Sequence, residues 1–305
     1  MKQHETHIDT VAVQMDFEKA EEQRRKLSLL CQWVTIRELG KLEQDESSKI
    51  IIKYEVFYAG TIIFTIHSGF TSTADDLTGE LEGLYYIRIR FAGLKSHIQR
   101  NDEASFNVLM TICAFLNTTR TKYRMVELDV AIDAYCSLDN ILAICVKKSG
   151  KTIYNEIGHK QYYKGIPTIY IERYRNEQEA NDSVVRSYVY DKSSKEGLIG
   201  STITRFELKL QNKFFLRYGF NTQSIVNAMN KYYVMYFESI PKKNQYIRIL
   251  NNFKSTSKDM EIFGLDSFRL FADENVIKEF IRQVESVYVG FYGDIVVPIA
   301  KNRND

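Results

Sequence analysis

The chain has 305 residues, 44% of them apolar and 26% charged, with 41 Lys plus Arg against 39 Asp plus Glu. This is the composition of a folded chain with a sizeable core, long enough for two domains or for one large one with an appendage, and it excludes a disordered polymer. No apolar run of about 18 residues is present to span a bilayer, and residues 1–30 hold no apolar stretch of the signal-peptide kind, so the expected location is the cytoplasm with no membrane partner.

Residues 16–30 carry a charged, helix-forming run followed by Leu27, Leu29 and Leu30, which predicts an amphipathic helix on the outside of the body. Residues 49–57 and 61–68 read as two strands joined at Tyr58-Ala59-Gly60, a hairpin. The strand 83–91 alternates, with Tyr86, Arg88 and Arg90 on one face and Tyr85, Ile87, Ile89 and Phe91 on the other. Helical spacing follows over 103–118, then a strand over 123–135, then a helix over 137–148 with Ser137 as its cap.

Four strands are expected over 152–157, 168–174, 184–191 and 202–211. The polar stretches 176–183 and 192–201 act as turns between antiparallel neighbours. Beyond Lys213 the pattern is mostly helical, over 221–237, 242–255 and 274–286, interrupted by Pro241 and closed by a short strand at 287–291. The order implies an α+β fold with a largely antiparallel sheet, flanking helices and a helical C-terminal part. Three consecutive regions follow: an N-terminal helical extension over 1–45, an α+β domain over 46–217 and a mostly helical region over 218–305.

Several chemistries are excluded by absence of their motifs. Cys31, Cys113, Cys136 and Cys145 form no CxxC pair and sit among apolar neighbours, as buried thiols do. The five histidines make no metal-binding spacing, and neither GxGxxG nor GxxxxGK[ST] occurs. Charge, near balance overall, is uneven. Residues 140–217 carry 14 basic and 8 acidic side chains, whereas residues 1–139 carry 16 and 21. A basic middle third rich in tyrosine suits a phosphate-bearing partner, although a solvated face gives the same pattern.

Three short strands concentrate the polar residues. In VELDVAID, Glu127, Asp129 and Asp133 share a face, and three like charges together either shift one another's protonation or collect a hard divalent cation. The alternative is a wet face whose acids pair with lysines. In TRFELKL, Arg205, Glu207 and Lys209 share a face. If this strand lies beside the first, Glu207 completes a cluster with Asp129 and Asp133 sufficient for one Mg²⁺ or Mn²⁺. RSYVYDK places Arg186, Tyr188 and Tyr190 on one face with Lys192 just beyond. A tyrosine phenol so placed can attack a phosphodiester, with Tyr188 and Tyr170 as further candidates and the ordinary core role as the alternative for each.

The succession YYIRIRFAGLKSH, RMVELDVAID, TIYIERYR, RSYVYDK and TRFELKL resembles the replication-initiation-factor family over about residues 50–215. This family comprises rolling-circle plasmid initiators, filamentous-phage replication proteins and conjugative relaxases. The resemblance implies a degenerate version of the histidine-hydrophobe-histidine endonuclease layout and a nicking-closing endonuclease that cuts one strand at an origin through a covalent 5′-phosphotyrosine. By position it assigns Tyr190 as nucleophile, Lys192 and Arg205 as stabilisers of phosphoryl charge, and Asp129, Asp133 and Glu207 as ligands for Mg²⁺ or Mn²⁺, with Glu127 in support. Arg173, Arg175, Arg186, Lys195 and Lys209 would contact DNA. The partners implied are origin DNA with an extruded hairpin, a host helicase and a second copy of the chain as a homodimer. Where the family has Gly-Ser after its T-x-Y strand, this chain has Glu172-Arg173, and the acid after Y-D-K is displaced to Glu196. A DNA-binding protein without catalysis is therefore the alternative reading.

Overall fold

The computed structural model describes residues 4–33, 52–58, 61–74, 81–93, 123–149, 152–172, 184–252, 267–269 and 272–286. The helix expected at 103–118, the turn at 176–183 and the strand at 287–291 lie outside them. The fold is α+β with a large, mainly antiparallel sheet, as expected. Its elements are β1 (His4–Phe17), α1 (Ala20–Trp33), β2 (Ile52–Tyr58), β3 (Thr61–Ala74), β4 (Leu81–Ala92), β5 (Arg124–Ala134), β6 (Ile141–Ser149), β7 (Thr152–Ile157), β8 (His159–Tyr163), β9 (Ile166–Tyr170), β10 (Val185–Asp191), α2 (Lys192–Glu196), β11 (Thr204–Gln211), α3 (Asn212–Tyr218), α4 (Thr222–Met229), β12 (Tyr232–Phe237), α5 (Ile240–Asn252), β13 (Ser267–Arg269) and α6 (Glu274–Ser286). Among the described residues no helix is long and apolar enough to cross a membrane.

Two compact units divide the chain, and they interleave rather than follow one another. One holds Met1–His7, Asp129–Phe214 and Asn221–Glu279; the other holds Ile8–Leu128, Phe215–Phe220 and Phe280–Asp305. This differs from the three consecutive regions expected from sequence. The N-terminal segment is also not a helical extension. Residues 4–17 form β1, which is buried along nearly its whole length and therefore has both faces covered. The helix expected over 16–30 follows as α1, over Ala20–Trp33.

In the second unit the strand order is β2-β3-β4-β1-β5. The β2–β3 hairpin and the β3–β4 and β4–β1 pairs are antiparallel, with Val13 opposite Ile89 and Ile66 opposite the same residue. Alternation thus gathers Val11, Val13, Met15, Ile66, Ile87, Ile89 and Phe91, all within about 1% of full burial, on one face. Each such side chain contributes about 1.5–3 kcal/mol. The amide of Gln23, on α1, donates to Ser68 Oγ and to the carbonyls of Gly69 and Tyr86 at 2.8–2.9 Å, fixing the helix to the sheet.

In the first unit β5, β11, β10, β9 and β8 are neighbours in that order, and β13-β12-β6-β7 form a separate sheet packed by α5. Here two helix expectations fail. Ser137 does cap a turn, but only the 3-10 turn Leu138–Asn140, after which Ile141–Cys145 continue as β6, opposite Tyr232–Tyr236 of β12. A fully buried apolar run has no polar face to reveal its period, so helix and strand look alike. The expected helix over 221–237 is split in the same way. Asn221 caps α4 through Ser224 N at 2.8 Å, and the aromatic run YYVMYF then forms β12. Pro241 does not interrupt a helix. It lies in the first turn of α5, where its missing N–H has no partner to lose.

The chain leaves the smaller sheet for the larger at Gly158. Its N–H donates to Ala143 O at 2.8 Å, and a Cβ there would stand 2.7 Å from Ile169 Cγ2 and 3.1 Å from Ala143 O. Only glycine lets β6, β7 and β9 approach so closely. That crossing sets the position of the β8–β9 hairpin, and with it the outer half of the candidate site.

A candidate active site on β10 and β11

The strands β9, β10 and β11 pair in antiparallel register, with Tyr188 opposite Glu207 and Tyr170, Tyr190 opposite Arg205 and Thr168, and Arg186 opposite Lys209. Residues directly opposite share a face. Arg186, Tyr188 and Tyr190, which alternation puts on one face of their strand, therefore stand with Arg205, Glu207 and Lys209, which alternation puts on one face of theirs. Within this face the polar side chains sort into two groups.

Glu207 centres the first. It is 5% exposed; its Oε1 accepts the Tyr188 hydroxyl at 2.8 Å and its Oε2 accepts the Tyr190 hydroxyl at 3.0 Å. The Lys195 ammonium donates to the Tyr190 oxygen at 3.1 Å and sits 4.4 Å from the ring centroid. This lysine reaches the ring because α2 begins directly after β10. Asp191 caps α2, accepting from Ser194 N at 2.9 Å, and Gly197 at φ 64° closes it. One turn of helix brings Lys195 back over the residue that precedes the cap. Tyr190 thus has a carboxylate at its proton and an ammonium at its oxygen. Tyr188 differs. Burial first, then the charges of Glu207 and Asp129, push its phenol far above the ordinary value, so it stays protonated and holds Glu207 by donation.

Asp133 centres the second group. Arg205 clamps it with two hydrogen bonds, Nε to Oδ1 at 2.6 Å and Nη2 to Oδ2 at 3.0 Å, while Lys192 Nζ reaches Oδ2 at 2.9 Å. His7 Nε2 lies 2.8 Å from Arg205 Nη2 and 3.9 Å from Asp133 Oδ2. All four are buried. Burial alone would raise the Asp133 carboxyl, but the hydrogen bonds and charge of Arg205, then His7 and Lys192, outweigh it and hold the group well below the ordinary carboxylate range.

These two groups correct part of the expected site. Asp129, Asp133 and Glu207 do not gather into one shell. Among the described residues no set of three His, Cys, Asp or Glu side chains is arranged around a possible metal position. Both Asp133 oxygens are held by cations, both Glu207 oxygens by phenols, and Asp129 lies 3.6 Å from Lys209 Nζ. The donor set does not fit a single Mg²⁺ or Mn²⁺. Glu127, expected in support, is instead held in the second unit by a bidentate Arg90 at 2.8 and 3.0 Å. Lys192 and Arg205 are both paired with Asp133 and are 4% and 3% exposed.

Of the expected DNA contacts, Lys195 is exposed, Arg186 and Lys209 are half-buried on the site face, and Arg173 and Arg175 lie outside the described residues. No local pattern in the sequence connects His7 to Arg205, or Lys195 to the Tyr190 phenol. Glu172, in sequence only a departure from the family's Gly-Ser, has a role in the structure: its carboxylate accepts from Ser187 N at 3.0 Å, from Ser187 Oγ at 2.6 Å and from the Tyr232 hydroxyl, tying β10 to β12.

No protein-family model matches the chain, and no curated protein matches it by sequence. Among solved structures, the chain is similar to a rolling-circle replication initiator protein from Geobacillus stearothermophilus. The likeness has a TM-score of 0.41 and 11% identity, and covers 93% of this chain and 97% of that one.

Proposed function

We propose that the chain is a rolling-circle replication initiator that binds origin DNA and nicks one strand through Tyr190. The observation that carries the reading is the Tyr190 hydroxyl held between Glu207 Oε2 at 3.0 Å and Lys195 Nζ at 3.1 Å. A phenol is a weak nucleophile at neutral pH and needs a base to take its proton and a cation to stabilise its oxygen. Glu207 accepts the proton as the Tyr190 oxygen bonds to phosphorus. The phosphorus–O3′ bond breaks, the 3′ oxygen leaves and takes a proton from water, and the 5′ phosphate remains on Tyr190. Return attack by a 3′ hydroxyl reverses each step and closes the strand. Lys195 stabilises charge first on the phenol oxygen and then on the phosphoryl group. Tyr188 positions Glu207.

The motif resemblance also implies Mg²⁺ or Mn²⁺. The carboxylates, held by cations and phenols, do not fit one ion, and the assay carries a metal series beside a chelated arm. The test is an SDS-stable protein–DNA adduct on single-stranded DNA. Wild type should form it, and Tyr190→Phe should not while still binding. A second reading, a DNA-binding replication protein without cleavage, is favoured by the 4% exposure of Tyr190. It predicts binding with a steep salt dependence and no adduct under any metal. Origin DNA, a helicase and a second copy of the chain enter as partners on the motif resemblance alone.

A further inference from the structure

The β8–β9 hairpin lies beside the candidate site and carries a concentration of exposed aromatics. Tyr162 is 71% and Tyr163 56% exposed, at the end of β8, and Lys160, Gln161, Lys164 and Gly165 are exposed as well. The turn is the two-residue Lys164-Gly165, with φ of 50° and 81° in succession. Two positive φ values make the tight hairpin whose twist matches its strands, a rigid mount rather than a slack loop. Between His159 and Tyr170 there is no acidic residue. Lys164 Nζ stands 5.6 Å from the Tyr163 ring centroid.

Register gives the hairpin its direction. His159 is opposite Tyr170, Gln161 opposite Thr168 and Tyr163 opposite Ile166, so Tyr163 shares the face that carries Tyr170, Tyr188 and Tyr190. Ring centroids run from His159 to Tyr170 at 6.1 Å, to Tyr188 at 6.4 Å and to Tyr190 at 6.0 Å. Exposure falls along the same row, from Tyr163 in solvent through half-buried Tyr170 and Tyr188 to buried Tyr190. Lys160 is ion-paired with Asp139 at 2.7 Å, which leaves Lys164 as the cation beside the exposed rings. Exposed tyrosines at a rigid edge with an ammonium beside them are the chemistry that holds single-stranded nucleic acid: bases stack on the rings, and the ammonium tracks the phosphates.

We propose that the β8–β9 hairpin is a stacking platform for the single-stranded DNA that flanks the cleaved bond, with Tyr163 as its principal ring and Tyr162 as a second one on the opposite face. The proposal rests on the reading of Tyr190 as the nucleophile, and it adds residues that no motif marks.

The probe is a short fluorescein-labelled oligothymidylate, with binding read by anisotropy at about 50 mM salt. Tyr163→Ala should weaken binding about tenfold or more, Tyr163→Phe should leave it near wild type, and Lys164→Gln should lower the salt slope by about one. Circular dichroism and thermal melting should match wild type, since both side chains stand in solvent. If wild type binds and Tyr163→Ala and Tyr162→Ala bind equally well, the platform is wrong while the Tyr190 reading stands, because the covalent adduct is scored independently. If wild type does not bind the oligonucleotide at all, the platform falls, and the adduct assay alone decides the Tyr190 reading. Because β8 is the last strand in its sheet order, a second copy could pair there. A Tyr163→Ala variant that changes from dimer to monomer by light scattering with unchanged DNA affinity would overturn the proposal in favour of self-association.

Discussion

Replacing Asp133 by Asn separates two roles that one carboxylate could have. In the structure its charge neutralises Arg205 and Lys192, whose side chains are 3% and 5% exposed. Asparagine keeps the volume but leaves two desolvated cations without a counter-charge. Breaking a buried ion pair from one side costs about 3–5 kcal/mol, a large part of the total stability of an ordinary domain. Urea unfolding followed by circular dichroism, with chelator present, reads this directly. The sign of the pH dependence is fixed by the depressed carboxyl: its stabilisation is fully present above the unfolded carboxylate value of about 3.9 and is lost as pH falls through the folded value. The wild-type advantage over Asp133→Asn should therefore be constant near neutrality and shrink below about pH 4. Adding Arg205→Met to Asp133→Asn should recover part of the loss. A deficit under about 1 kcal/mol in chelator, together with a changed metal requirement for activity, would refute the reasoning and return Asp133 to a metal site.

Further predictions follow from neighbouring contacts. Glu207→Gln should lower the rate of adduct formation by about 10²–10⁴, the usual share of a general base; equal rates would remove Glu207 from the chemistry. Glu172 has a carboxyl raised by burial, against which its hydrogen bonds from Ser187 and Tyr232 work. A raised folded value means stability present at low pH and lost as pH rises through it, so Glu172→Gln should flatten the decline of stability from acid to neutral pH, as followed by urea unfolding across that range. Gly158→Ala should cost about 1–3 kcal/mol through overpacking against Ile169 and the Ala143 carbonyl, and an unchanged melting temperature would mean that the crossing is looser than the structure has it.

The sequence made the faces legible and left the partners hidden. Strict alternation in RSYVYDK and TRFELKL was enough to put Tyr188 and Tyr190 on one face of their strand and Glu207 with Arg205 and Lys209 on one face of theirs, because period two is a property of each strand alone, and the pairing of the strands makes the two faces one. Which acid meets which cation depends on cross-strand register and on distant chain. Asp133 is claimed by Arg205, Lys192 and His7, and nothing near VELDVAID announces it. The strands β6 and β12 were invisible for another reason. Covered on both faces, they lack the polar stripe from which a period is read, and the Ser137 cap preceding β6 served only a single 3-10 turn. Lys195 was legible as a cation but not as the partner of Tyr190, since that contact exists only because Asp191 starts a helix there.

The most direct test maps the covalent bond. The chain is incubated with a random-sequence pool of single-stranded DNA, with and without divalent metal, then denatured, digested and read by mass spectrometry. The expected result is a nucleotide on the peptide carrying Tyr190, lost in Tyr190→Phe and strongly reduced in Glu207→Gln. An adduct on Tyr188, Tyr170 or any other residue, or none in either metal condition, would contradict it.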